Sequence, residues 1–475
     1  MKTTTESYDS LMKERMRNKS HVKISLISGA TTYLFEDDEI ATLSRTNEVD
    51  PLTRRVPKEE LSFSVYDFEG NYNPSNPSGK WNALDENADI TVTFGLDTGS
   101  GVIWLDADNY VLSGRPTYAS GIATFKASSK LTQLTKTYYK GVYGQHSLYQ
   151  LAVGVLTDAG LSASDYEIDS SLQEMITDAP IPITTHLNAL QLIAHASCST
   201  LRTKSGKIYI EQFNPNNVET KLVMNLDSIA LNGDVISKID TLYKVESSLY
   251  SYVPDFESSV LYDSVITSDG TSQCHIEYAT STDQVIEIEG NAEITNANYY
   301  ANAMDFTITG EGSFHVIVTG KKIASSITKS QTIVSLNANG STDTEKNQLI
   351  TNYELQSALI YHVANYLTYR LTHSVKYRGN PEIESLDGIF FATNFDSYIQ
   401  ALVLKETITY NGAISGTLTL KSLSEINDSY LYDSDGKKVQ DANDEFISLI
   451  SLTDYQSEYT TEDIDEFITE VIDNG

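Results

Sequence analysis

The sequence predicts a mainly β, multi-domain fold with a small α+β insert, and three observations predict it. Apolar residues alternate with polar ones in well-separated stretches: Val22, Ile24 and Leu26, then Leu61, Phe63 and Val65, then Ile90, Val92 and Phe94. Helical spacing is confined to a few windows. The length, 475 residues, exceeds what one hydrophobic core usually organises, so roughly two to four packed units are expected.

The first 20 residues place Leu11, Met12 and Met16 at helical spacing among Lys13, Arg15, Arg17 and Lys19, which predicts an amino-terminal helical arm over 1–20. Residues 21–140 follow the two-residue period and form a first β domain. Its longest break, "EGNYNPSNPSGKWN" from Glu69, reads as an exposed contact loop. Residues 141–217 form the α+β insert. There Ser147 caps a helix with Leu148, Leu151, Val155 and Leu156 on one face and Gly160 at its stop, and a second helix carries Leu187, Leu190, Ile193 and Ala194. That helix runs into a hairpin turning at Ser205 and Gly206.

Residues 218–335 return to β, with Phe314, Val316 and Val318 alternating with His315 and Ile317. The segment 336–422 opens on a helix striped by Leu355, Leu359, Val363 and Leu367, with Thr351 and Glu354 as its capping box, and ends in strands. The last 53 residues, 423–475, hold fifteen Asp and Glu against Lys437 and Lys438. They read as an acidic carboxy-terminal appendage, and interspersed Phe446, Ile447, Phe467 and Ile468 favour docking on a partner.

Acids outnumber bases 65 to 33, a formal net charge of -32. Binding to nucleic acid or an anionic membrane needs Lys and Arg to neutralise phosphates, so general binding to either is excluded. No stretch approaches the roughly 18 apolar residues of a membrane span, and the amino terminus lacks the apolar core of a secretory signal. Cys198 and Cys274 lie in different segments and imply no disulfide framework.

The motifs of common chemistries are missing. No HExxH or GxSxG occurs, and the glycine-rich runs "LDTGSGVIW" and "TGEGSFHVIV" lead into strands rather than opening phosphate-binding helices. His195 and Cys198 stand three apart on a helix, but a closed zinc site takes about four ligands and no second pair is nearby. "DSDGKKVQDANDE" from Asp433 has Lys437 where a calcium loop needs an oxygen, and reads as a β-turn. No catalytic residue, cofactor or metal is therefore assigned. Thirty tyrosines suit a protein or sugar interface, or simply strands.

One polar stretch, "YRGNPEIESLDGIFF" from Tyr377, carries no evident chemistry. Gly379, Asn380, Pro381 and Asp387, with Gly412 further on, are read as structural turn residues. Arg378 and Glu382 are candidates for an ion pair at a subunit interface.

The order of these segments resembles the tail-tip or baseplate-hub proteins of tailed phages and prophages of Gram-positive hosts. The resemblance rests on "GIATFKASSKLTQLTKTYYKGVYGQHSLYQLAVGVLTDAGL", with Ala127, Lys130, Leu131, Tyr138, Tyr139, Ala159 and Gly160 in place and Ser129 where the family often has Asp. It continues through "IPITTHLNALQLIAHASCSTLRTKSGKIYIEQF", "VKYRGNPEIESLDGIFF" and "TYNGAISGTLTLKS", covering about residues 20 to 422. What it implies is a baseplate-hub-like fold with two tube-like β-barrels, 21–140 and a second one closed by the strands of 336–422.

It further implies a non-enzymatic virion protein forming a homotrimer between the tail tube, or a distal tail protein, and tip or fibre proteins. The acidic carboxy terminus would hold the latter. DNA would pass through the lumen without specific binding, repelled by a carboxylate wall. A receptor- or carbohydrate-binding tail protein is the alternative, and a cell-wall hydrolase the third reading.

Overall fold

The nine residues of the three alternating stretches are each at most 1% exposed, so the two-residue period marks one continuous inner face. They lie on the first, fourth and fifth of nine strands, β1 (Ser20–Ser28), β2 (Thr31–Glu36), β3 (Ile40–Glu48), β4 (Lys58–Tyr66), β5 (Asp89–Asp97), β6 (Val102–Trp104), β7 (Asp108–Leu112), β8 (Thr117–Ala119) and β9 (Ile122–Ser128). Phe63 and Phe125 stack at 4.8 Å across the β4–β9 pair, and Tyr72 meets Phe125 edge-on at 5.2 Å. Each such ring buried contributes about 1.5–3 kcal/mol. The loop from Glu69 is exposed at Pro74, Ser75, Pro77, Ser78 and Lys80, and Tyr72 is a buried plug near its start. The Asp67 carboxylate accepts from the Asn71 and Tyr72 amides at 2.8 and 2.7 Å and fixes the loop's course.

This is a computed structural model, and it describes residues 19–224, 226–335, 339–392 and 398–423 with Met1, Lys2, Thr4, Thr5, Tyr8, Leu11 and Met12. The acidic appendage from residue 424 onward, the turn from Asp433, and Lys13, Arg15, Met16 and Arg17 of the arm lie outside the described residues. Tyr8 and Met12 pack against Leu96 and Leu105.

The insert contributes α1 (Leu148–Asp158) and α2 (His186–Ala196). Ser147 and Gln150 close a reciprocal capping box on α1. Strands Ser199–Lys204 and Lys207–Gln212 turn through Ser205 and Gly206, both at positive φ (47° and 79°), as a two-residue hairpin requires. A third helix, α3 (Tyr353–Thr368), packs Leu355, Leu359 and Val363 into the same core. Its cap is Asn352, whose side chain accepts from the Leu355 amide at 2.9 Å. Thr351, the expected cap, instead accepts from the Asp178 amide at 3.1 Å.

The strands within 218–335 go to two different sheets. Thr220–Met224 pairs in parallel with Gly388–Ala392, and Ile229–Lys238 pairs antiparallel with Leu371–Tyr377. These join the main sheet, whose order runs Ile229–Lys238, Leu371–Tyr377, Ile414–Ser422, Tyr398–Tyr410, β3, β4, β9, β7, β5, β1, β2. A separate sheet is organised on the 31-residue strand Ala303–Ile333. Its carboxy-terminal third pairs with Leu242–Pro254; the rest pairs with Ser259–Glu277 on one side and with Ser281–Glu289 and Glu293–Tyr299 on the other. Ile276, Phe306, Ile308, Phe314, Val316 and Val318 share a small core there.

Candidate assembly surfaces

Two β units meet where β3 pairs with Tyr398–Tyr410, from Lys405 opposite Glu48 to Tyr410 opposite Leu43. The seam is continuous backbone pairing, so both units form one sheet. Under it sits a buried charge network. Arg45 follows Leu43 in phase on β3 and therefore points inward, as Glu406 does ahead of Ile408. Arg45 bonds Asp108 at 2.5 Å and Glu406, while Tyr377 donates to Glu406 at 2.7 Å and Lys2 reaches Asp108 at 2.8 Å.

Burial alone would lower the Arg45 pKa, and Glu406 and Asp108 more than reverse this, so the guanidinium stays charged. Burial likewise opposes the charged form of Asp108, but Lys2 and Arg45 hold its carboxyl below the usual range. Glu406, with 0% exposure, is pushed up to about 7 by burial, against the pull of Arg45 and Tyr377.

The stretch from Tyr377 turns out to be the dock for the chain's first residues. The Lys2 amide donates to the Glu382 carbonyl at 3.0 Å, Tyr8 donates to Asn380 at 3.3 Å, and the Met1 amino group lies 2.6 Å from Asp387. Asn380 accepts from the Glu382 amide at 3.2 Å, an Asx-type turn after which Pro381 is buried. Asp387 accepts from the Glu384 amide at 2.6 Å, and burial holds its carboxyl above the ordinary range. Glu382 is buried, receiving the Asn380 amide group at 3.1 Å; Arg378 is half-buried, its backbone amide on the Ser228 carbonyl. The sequence therefore places Arg378 and Glu382 close together, and the fold turns Glu382 inward.

Gly379 has φ +76°, and a Cβ there would lie 2.4 Å from Ile414 Cγ2. Gly379→Ala should lower stability by about 1–3 kcal/mol through crowding and left-handed strain, read as a fall in the thermal midpoint. Gly412, also at positive φ (94°), faces open space, so its alanine variant carries the conformational cost without the clash.

The outward face of the central strands is a carpet of hydroxyls. Thr46 meets Thr407 across the seam at 3.3 Å, Ser64 meets Thr124 at 2.8 Å, and Thr409 meets Ser415 at 2.8 Å. An open groove runs along it, lined by Ser44, Thr46, Ser62, Lys126, Ser128 and Thr132. Its charges are mixed: Lys58 pairs with Glu60 at 3.2 Å and Lys405 with Glu48 at 3.1 Å. This face is hydroxylic, with Glu60 and Glu48 balanced by Lys58 and Lys405, because an alternating strand that needs only a polar outer row is satisfied largely by Ser and Thr.

Among the described residues, the ends of the sheet's main path are β2 and Ile229–Lys238, while Thr220–Met224, β6 and β8 are one-sided strands on its branches. The second exposes Val235 (66%) and Ile236 (58%), and β2 exposes Leu34 (46%). Exposed apolar residues on an unpaired strand are the usual mark of an edge that another chain covers.

His195 and Cys198 do not meet at a metal. His195 Nε2 lies 3.0 Å from Glu345, its Nδ1 takes the Asn347 amide at 3.0 Å, and burial pushes the Cys198 thiol up to about 12. Among the described residues no group of His, Cys, Asp and Glu can hold a metal ion.

His362, edge-on to Phe213, is lowered to about 4, chiefly by burial and then by the charge of His195. The unfolded chain thus takes up this proton near pH 6.5 and the fold only near 4, so stability falls as pH drops through that window. The loss attributable to His362 is about 3 kcal/mol at most. Denaturant titrations of His362→Gln should show a flatter dependence between these pH values.

No protein-family model matches the chain, and no curated protein matches it. Solved structures do align with it. The likeness is to phage tail proteins. The prophage MuSo2 43 kDa tail protein from Shewanella oneidensis aligns with TM-score 0.46 and 11% identity over 85% of this chain and 98% of that one. A tail protein from Neisseria meningitidis MC58 gives 0.46 and 8% over 84% and 96%. Prophage tail protein gp18 from Listeria monocytogenes EGD-e gives 0.44 and 8% over 84% and 94%. These sources are not confined to Gram-positive bacteria. With every TM-score below 0.5, the functional reading rests on the sheet, its seam and its edges.

Proposed function

We propose that this chain is a non-enzymatic structural protein of a phage-like virion: a tail-tip or baseplate hub, in which three copies close a ring between the tail tube and distal tip or fibre proteins. The observation that carries the reading is the seam. Two β units already pair side by side within one chain, and the sheet so formed ends in two different strands, Ile229–Lys238 and β2. Joining one edge of a copy to the other edge of the next is a heterologous contact, which closes when the rotation between copies divides a full turn.

Three copies would present six β units around a lumen. The hydroxyl face then lines the passage, and DNA slides because Lys58 and Lys405 in the wall are balanced by Glu60 and Glu48, which leaves little positive charge to grip phosphates. Neutrality replaces repulsion in this account. Native mass spectrometry of the purified chain tests the ring: three chain masses are expected, and a monomer at every accessible concentration would sink it.

A further inference from the structure

The strands paired with the first two thirds of Ala303–Ile333 carry an unbalanced charge. Between Pro254 and Lys321 the chain carries eleven Asp and Glu and neither Lys nor Arg. The inner residues here make the small core around Phe314 and Val318. The outer face is set by strand register. Val265, His315 and Glu289 form one row across three strands, Asp263, Ile317 and Glu287 the next, and Val260, Thr319 and Val285 the third.

Directly paired residues point to the same side of a sheet, so these nine form one patch. The valines are 52–61% exposed, well above what a finished surface needs. His315 bridges Asp263 at 2.6 Å and Glu289 at 3.2 Å and holds both carboxylates beside the aliphatic rows.

We propose that this face docks a cationic polypeptide segment whose Lys or Arg residues alternate with aliphatic side chains, supplied by a partner protein. Charge complementarity selects that occupant. Carboxylates at the patch repel nucleic acid and anionic lipid, whereas the valine rows offer a neutral polar chain nothing to recognise. An extended segment whose patch-facing residues, every second one, are aliphatic and cationic in turn would lay the former on Val260, Val265 and Val285 and set the latter at Asp263, Glu287 and Glu289. The inference stands independently of the ring.

The test uses the full chain and a labelled peptide with valine and lysine in turn at every second position and serine between them, with binding followed by fluorescence anisotropy at fixed salt. The triple variant Asp263→Asn, Glu287→Gln, Glu289→Gln should bind about tenfold more weakly, the sum of three exposed charge contacts. The control triple Asp38→Asn, Glu60→Gln, Glu86→Gln, which removes the same charge from the first β unit, should stay within about twofold of the parent. Val260→Ser with Val285→Ser should weaken binding without changing charge, and circular dichroism confirms that each variant is folded. Equal losses in the two charge triples, or no binding by the parent chain, would overturn the proposal.

Discussion

Replacing Arg45 by methionine should destabilise the protein by about 3–5 kcal/mol, because it leaves Glu406 buried with no cation beside it. The side chain of Arg45 is 1% exposed and that of Glu406 0%, so water cannot substitute for the lost partner. Asp108 suffers less, since Lys2 remains 2.8 Å away. Pairing Arg45→Met with Glu406→Gln should restore most of the loss: the neutral amide no longer needs the cation and still accepts from Tyr377. Chemical denaturation of the parent, both single variants and the double closes the cycle. A loss below about 1 kcal/mol for Arg45→Met would mean that the seam is wetter than its burial implies. Because the network joins β3, β7, the first residues and the strand Tyr398–Tyr410, its failure should also loosen the two β units from each other.

That network was partly legible in the chain. A lone Arg in phase with Leu43, and a lone Glu in phase with Ile408, each break an apolar row, and two inward charges of opposite sign invite pairing. What the sequence lacks is any signal that strands 360 residues apart lie side by side, since register between distant strands is a property of the assembled sheet. Helices α1 and α2 were readable because capping and stripe agree locally, as at Ser147 and Gln150. Thr351 misled because Thr and Asn are adjacent cap formers, and the hydroxyl had a tertiary use at Asp178.

The turn residues were legible as a backbone device, at Gly379 above all, but not as the dock for Lys2 and Tyr8, which no local pattern encodes. The sum of the charge reveals nothing of where charges sit: the outer rows of the seam strands mix Ser and Thr with the pairs Lys58–Glu60 and Lys405–Glu48, while the residues between Pro254 and Lys321 hold eleven acids and neither Lys nor Arg.

On the proposed ring, converting Val235 and Ile236 to lysine should leave only single chains while the thermal midpoint of each chain stays nearly unchanged. Both side chains are mostly exposed, so the fold loses little by their replacement. A ring held by that edge loses its apolar contact and gains two like charges, the device by which sheet proteins keep edges from pairing. A charge exchange makes the test directional. Ile236→Lys alone and Leu34→Glu alone should each weaken association, whereas the two in one chain place a lysine on one edge opposite a glutamate on the next copy's β2 and should recover it. Recovery in the double variant requires a head-to-tail contact, because a twofold contact would set each edge against itself. Mass measurement of the four chains at one concentration decides between them: threefold mass in both single variants would show that the ring is held elsewhere, and single chains in the double variant would show that the two edges do not meet.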